Sequence, residues 1–268
     1  MSYLRSLRPT PLGIYAVVIL GLLVLPLVML VPMSLNDGNT MRALPETWSL
    51  RWYEEVWFAD SWRRSFFWSL AIGTIATVLA TVMGYIAAET LLRISGLAKS
   101  VLEVLVLLPM MVPAVIVAFS TFLLSTWLKP DSNWWLIAIG QSLLALPVAT
   151  IIIAASLRNI DCNLLRAAQS MGASRWQIFC GVKLPLALDG LIAAAALSFL
   201  IAFDELLIAV FLTRPGLETL PVRIYDSVTY ELTPAVAVIS VLLIVLVSTV
   251  TLVSAYLQRR MKNSRRGV

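Results

Sequence analysis

Residues 191–212 read LIAAAALSFLIAFDELLIAVFL. The run holds no Lys or Arg, and apart from Ser198 its only polar side chains are the adjacent carboxylates Asp204 and Glu205. An apolar stretch longer than about 18 residues is long enough to cross a bilayer as a helix. The rest of the chain agrees. Of its 268 residues 60% are hydrophobic and 13% charged, and mean hydropathy is +0.89. A globular chain is about 45–50% apolar and about 25% charged. This is an integral membrane protein, all-α, whose length suits one domain of about six spans with little left for a soluble module.

The pattern places those spans at about 12–33, 66–91, 101–124, 134–157, 188–212 and 235–257. Arg5 and Arg8 before the first span look like a signal-peptide start, but the apolar stretch is too long for one, so it is expected to stay as an anchor. The basic residues divide unevenly. Arg5, Arg8, Arg93, Lys99, Arg158, Arg166, Arg175, Lys183 and the tail residues Arg259, Arg260, Lys262, Arg265 and Arg266 fall on one side, thirteen of the twenty. Arg42, Arg51, Arg63, Arg64, Lys129, Arg214 and Arg223 fall on the other. The positive-inside rule then puts both termini in the cytoplasm, and it accounts for the net charge of +5 without a nucleic-acid partner.

There is no His, and Cys162 and Cys180 are the only cysteines. No metal-ligand spacing or disulfide framework follows. In the loop ETWSLRWYEEVWFADSWRRSFFW, residues 46–68, five tryptophans are interleaved with charges, the composition of an interfacial helix with its rings at headgroup level. Pro26, Pro109, Pro113 and Pro147 interrupt spans. Broken helices often line a pathway, and on a straight helix Pro109 and Pro113 share a face. Pro109, Met110 and Pro113 are therefore candidate pathway residues.

The segment from Arg158 to Gly190 is too patterned for a plain connection. Asp161 or Asn163 can cap a helix running through Ala168 and Ser170. Gly172 supplies a left-handed end, a second short helix follows at about Ser174–Phe179, and Leu184-Pro185 marks the turn back toward the membrane. Such a helical hairpin, about 160–185, is a docking surface for a soluble partner or an interfacial helix on lipid.

Within it RAAQSMGASRWQIFCGVKLP, residues 166–185, resembles the cytoplasmic loop signature of ABC importer permeases: E-A-A, then Gly, then hydrophobic-x-Leu-Pro. Ala167, Ala168, Gly172, Leu184 and Pro185 fall on its positions, and Arg166 stands where the pattern has Glu. VPMSLNDG (31–38), SLRWYEEVW (49–57), LLPMMVPAVIVA (107–118) and FDELLIAVFLTRPGLETLPVRIYDSV (203–228) extend the likeness to the branch serving polyamines and related solutes. The resemblance implies the type I importer permease fold in a bacterial inner membrane. It also implies a pair of cytoplasmic ATPases that bind the ATP and Mg, a second permease subunit as heterodimer partner, and a periplasmic binding protein that delivers solute. The coupling surface would comprise Arg166, Ala167, Ala168, Gly172, Ala173, Arg175, Leu184 and Pro185.

The chain has no G-x-x-x-x-G-K-[ST] loop; SGLAKS at 95–100 lacks the spacing. It is therefore expected to be no enzyme by itself and to carry no cofactor. The competing reading is a secondary transporter or channel using Asp204 and Glu205 as a proton or cation site. A scaffold without transport has nothing in its favour. Adjacent helical residues point about 100° apart, so the two carboxylates should differ in role. Asp204, on a stripe with Leu197, Ile201, Ile208 and Phe211, is expected to face a cationic solute. Glu205, on the stripe of Ser198, Ala202 and Ala209, is expected to hold a neighbouring helix.

Overall fold

The computed structural model describes residues 11–249. Among them the helices are α1 (Pro11–Ser34), α2 (Arg51–Phe58), α3 (Asp60–Arg93), α4 (Gly96–Met111), α5 (Ala114–Leu128), α6 (Trp134–Arg158), α7 (Cys162–Ser170), α8 (Arg175–Ile178), α9 (Leu184–Phe203), α10 (Leu207–Leu212), α11 (Leu220–Asp226) and α12 (Ala235–Thr249). Phe179–Lys183 and Ser227–Glu231 form π-helical turns. The described residues contain no strand, only two isolated bridges, as the all-α expectation requires.

Among the described residues, four helices are long and apolar enough to cross a membrane, five if the bent α4–α5 pair is one span. The third predicted span, 101–124, is therefore not straight: α4 and α5 meet at 95°. The proline ring of Pro113 disfavours helical backbone at Val112, which sits at φ −86° and ψ 130°. Pro109 is buried inside α4 and Pro113 is exposed beyond the break, so the two do not share a face. The last predicted span, 235–257, is described only to Thr249; the rest lies outside the described residues.

The chain divides into two compact units, Met1–Arg63 with Ile224–Val268, and Arg64–Arg223. In the first, α1 is apolar on every side, and no residue of its spanning window is buried among the described residues. The segment after it folds onto α2. Ser34 Oγ and Tyr53 Oη are 2.8 Å apart, the Ser49 amide donates to Leu35 O at 2.8 Å, and Trp52 Nε1 donates to Gly38 O at 3.1 Å. Trp52 and Trp62 are buried, which corrects the expectation of a purely interfacial tryptophan belt. Only Trp48 and Trp57 stand outward here.

The second unit is built on α6 and α9, packed along their lengths. Small residues permit it: Ala149, Ala154, Ala187 and Ala194 lie in one buried cluster with Ile153 and Leu157. Without lipid-phase hydrophobic drive, membrane helices associate through such close backbone approach. At Gly190 an added Cβ would lie 2.3 Å from Ser156 Cβ, and at Gly84 2.9 Å from Ala149 Cβ. Gly190→Leu is accordingly expected to force α6 and α9 apart, costing about 1–3 kcal/mol as overpacking. Thermal unfolding in detergent checks this; an unchanged midpoint would contradict the packing. A second buried cluster joins Ile72, Ala118, Leu136, Ile137, Ile208 and Leu212.

Candidate functional site

The apolar run 191–212 is not one helix. It ends at Phe203, and Asp204 adopts the C-cap position of α9. Residues 204–206 break the helix before α10 begins at Leu207. A new helix needs acceptors for its first amides. Glu205 supplies them: both carboxylate oxygens lie 3.0 Å from the Ile208 amide, and the Leu207 and Ala209 amides belong to the same donor cluster. Glu205 thus holds α10 in place from its own chain. The predicted stripes survive in part. Ser198 and Ala202 of α9 are buried, and so is Ala209, but Ile208 is buried beside it instead of following the exposed Leu197 and half-buried Ile201.

Asp204 is exposed. Its carboxylate forms no hydrogen bond or ion pair among the described residues. The two carboxylates do differ in environment, one turned outward and one committed to backbone amides.

The broken segment is held from three directions within its unit. Asn133, buried at the start of α6, donates from Nδ2 to Leu212 O at 2.9 Å. Phe211 meets Phe119 and Phe122 of α5 at centroid distances of 6.3 and 6.2 Å. Beyond α10, Trp68 Nε1 donates to Gly216 O at 2.9 Å and the Leu220 amide donates to Ser69 Oγ at 2.7 Å. The structure therefore brings α5, which follows Pro113, beside α10. Met110 and Pro113 are exposed and Pro109 is not.

The hairpin forms through local chemistry. Asp161 caps α7 by accepting from the Asn163 amide at 2.8 Å, and Asn163 is not the cap. Gly172 has φ +82°. The Gly172 amide donates to Gln169 O at 2.9 Å and the Ala173 amide to Ala168 O at 3.1 Å, the paired bonds that close a helix on a left-handed residue. Ser174 and Gln177 form a reciprocal capping box at the start of α8. Ala167, Arg166, Gly172 and Arg175 are exposed, Ala173 half-buried, and Ala168 buried within the chain. Ala168 thus packs inward and is not free for close approach to a partner.

Leu184 and Pro185 do not turn the chain. They open α9 as its first two residues, and helix continues from Arg175 to Phe203 without interruption. A proline ring clashes with the carbonyl four residues earlier. The π-turn Phe179–Lys183 widens the backbone just ahead of Pro185, with the Leu184 amide donating to Phe179 O, five residues back.

Sequence reasoning missed one cluster at this end of the unit. Glu89 on α3 pairs with Arg93 one turn on and with Lys183 of the π-turn. Its Oε1 accepts from Arg93 Nε at 2.8 Å. The signal was present: Glu89 is the only charged residue in 66–91. Among the described residues no group of His, Cys, Asp and Glu is arranged to hold a metal.

Long apolar helices, a bend between α4 and α5, a break at residues 204–206 and a capped hairpin describe a multi-pass membrane protein. The family described as "Binding-protein-dependent transport system inner membrane component" matches residues 80–263, and the chain belongs to that family. It is the permease subunit of an ABC importer. The spermidine/putrescine transport system permease protein PotC of Haemophilus influenzae is 28% identical over 91% of this chain and 94% of its own. The putrescine transport system permease protein PotI of Escherichia coli K12 is 28% identical over 90% of this chain and 88% of its own. The trehalose transport system permease protein SugB of Mycobacterium tuberculosis is 30% identical over 77% and 76%. Among solved structures, a bacterial alginate ABC transporter bound to its alginate-loaded periplasmic protein has a chain with TM-score 0.69 and 18% identity, covering 92% of this chain and 93% of its own. That likeness is one of fold.

Proposed function

We propose that this permease imports a polyamine or a related small cationic solute, driven by ATP hydrolysis in a separate pair of ATPase subunits. The hairpin carries the proposal: a self-capped helical turn with Gly172 at its tip, exposed Met171 and Trp176, continuous with a span. Such a rod transmits a push on its tip directly into the bundle. The ATPase pair, with its ATP and Mg, sits at that end. Both termini are cytoplasmic, in keeping with the basic residues gathered on that side. A second permease subunit completes the pathway, and a periplasmic binding protein delivers solute to the opposite face, over residues 35–65 and 213–234.

The cationic preference rests on Asp204. Carrying a carboxylate at bilayer depth costs about 2.5–3.5 kcal/mol on insertion scales. With no hydrogen-bond or ion-pair partner among the described residues, its carboxylate is left for water, solute or the sister subunit. The two polyamine permeases among the relatives support the same class, whereas the trehalose permease marks how widely solutes vary within the family.

Two measurements test the proposal. Tagged permease should bring down a stoichiometric ATPase pair, and uptake driven by an ion gradient without ATP would overturn the mechanism. Its binding protein should show a thermal shift with putrescine or spermidine; a shift with sulfate alone would overturn the solute class.

A further inference from the structure

Two contacts on different elements line up between α3 and the rod that begins at the hairpin. Tyr85 of α3 meets Phe179 edge to face, with centroids 5.4 Å apart and planes at 75°. Phe179 in turn lies against Trp176 of α8 at 5.3 Å and 31°. One turn along α3 from Tyr85 is Glu89, and one turn along the rod from Phe179 is Lys183, and these two form an ion pair. Both partners are only 17% exposed. Arg93 holds the same carboxylate from its own helix. The rungs are thus aromatic–aromatic and acid–base, spaced four residues apart on both sides. The rod side of both is the π-turn, an element that often marks a functional site.

We infer that Tyr85–Phe179 and Glu89–Lys183 form a fixed joint that makes α3 travel with the coupling hairpin, so that the ATPase stroke moves two spans and not α9 alone. The inference rests on the proposed ATP-driven mechanism. Its physical basis is that a screened ion pair bonded on both sides is costly to open, because separation leaves a half-buried charge without its partner. The interlocked rings add a contact that holds only at one orientation. A joint of this kind stays closed while the elements it links move as a body. Glu89 and Lys183 are positioning residues: they touch neither solute nor nucleotide and act through the rod.

The assembled transporter, reconstituted in proteoliposomes, supplies the test. Glu89→Gln and Lys183→Gln should each lower the ratio of binding-protein-stimulated to basal ATP hydrolysis about fivefold or more, with the ATPase still co-purifying. The exchanged pair E89K/K183E restores the acid–base rung between the two elements, although the lysine introduced at position 89 then stands one turn from Arg93, and should recover clearly more coupling than either single variant. Unchanged single variants, or an exchange no better than the singles, would overturn the joint. Should the single variants fail to assemble, cross-linking decides. In a C162S/C180S background, Y85C/F179C should oxidise to the same yield in the nucleotide-free and the vanadate-trapped complex. A yield that collapses on trapping would mean that the contact opens during the cycle. Uptake that needs no ATPase would instead sink the mechanism itself, while the cross-link would still report whether α3 and the rod are joined.

Discussion

Asp204→Asn is expected to abolish most uptake while leaving the assembled, folded complex intact, and Glu205→Ala is expected to do the reverse to the protein itself. The two residues are neighbours, but the helix break gives them different duties. Asp204 caps α9 through its backbone, and its exposed side chain bonds to nothing described. Replacing its charged oxygen by an amide removes no hydrogen bond or ion pair among the described residues, so the melting temperature should hold. If a cationic solute passes it, the lost charge pairing is of the kind that costs about 2–5 kcal/mol. Because about 1.4 kcal/mol is a factor of ten, putrescine uptake should fall by about tenfold or more. Glu205 instead accepts from the Ile208 amide. A charge-assisted bond of this kind contributes about 1.5–3 kcal/mol, and its loss also leaves orphaned amides at the head of α10. Glu205→Ala should lower the thermal midpoint, with Glu205→Gln falling between because it keeps one acceptor. Asp204→Asn with normal uptake would remove Asp204 from the pathway. An unshifted midpoint in Glu205→Ala would remove the capping role.

The same pair shows where the sequence can be read and where it cannot. Apolar runs are legible because the bilayer imposes length and composition on each span, and the hairpin is legible because its determinants are local. Asp161, Gly172 and Ser174 each act on amides or dihedrals within a few residues. The break at residues 204–206 is illegible by the same logic. Hydropathy treats 191–212 as continuous, and nothing in Asp-Glu says that one carboxylate will turn back onto Ile208. Pro113 announces a break, but the 95° between α4 and α5 depends on packing against α6 and α10. Pro185 misleads in the opposite sense, since a π-turn carries the helix through what looked like a turn back toward the membrane. The Glu89–Lys183 pair joins residues 94 positions apart. A lone carboxylate in a span is visible in sequence, but its partner is chosen by the fold.

Gly172→Asp should leave the permease inserted and folded, yet abolish binding-protein-stimulated ATP hydrolysis. The chain itself would feel little. Gly172 sits at φ +82°, and a Cβ built there meets nothing within 4 Å. The strain of an L-residue in left-handed backbone is about 1–2 kcal/mol, and Asp is among the side chains that tolerate it best. The two bonds that close α7, from the Gly172 and Ala173 amides, require no change in the residue's identity. Any loss beyond that modest strain must therefore arise outside the chain, from a surface that approaches the hairpin tip closely enough to reject a carboxylate. Gly172→Ala separates the contributions: it carries the backbone strain without the charge or the bulk, and should retain most of the coupling. Stimulated ATP hydrolysis in the two variants, set against their thermal midpoints in detergent, gives the answer. Normal stimulation in Gly172→Asp would mean that no partner docks on this turn, whereas an equal loss in both variants would place the defect in the hairpin's own backbone.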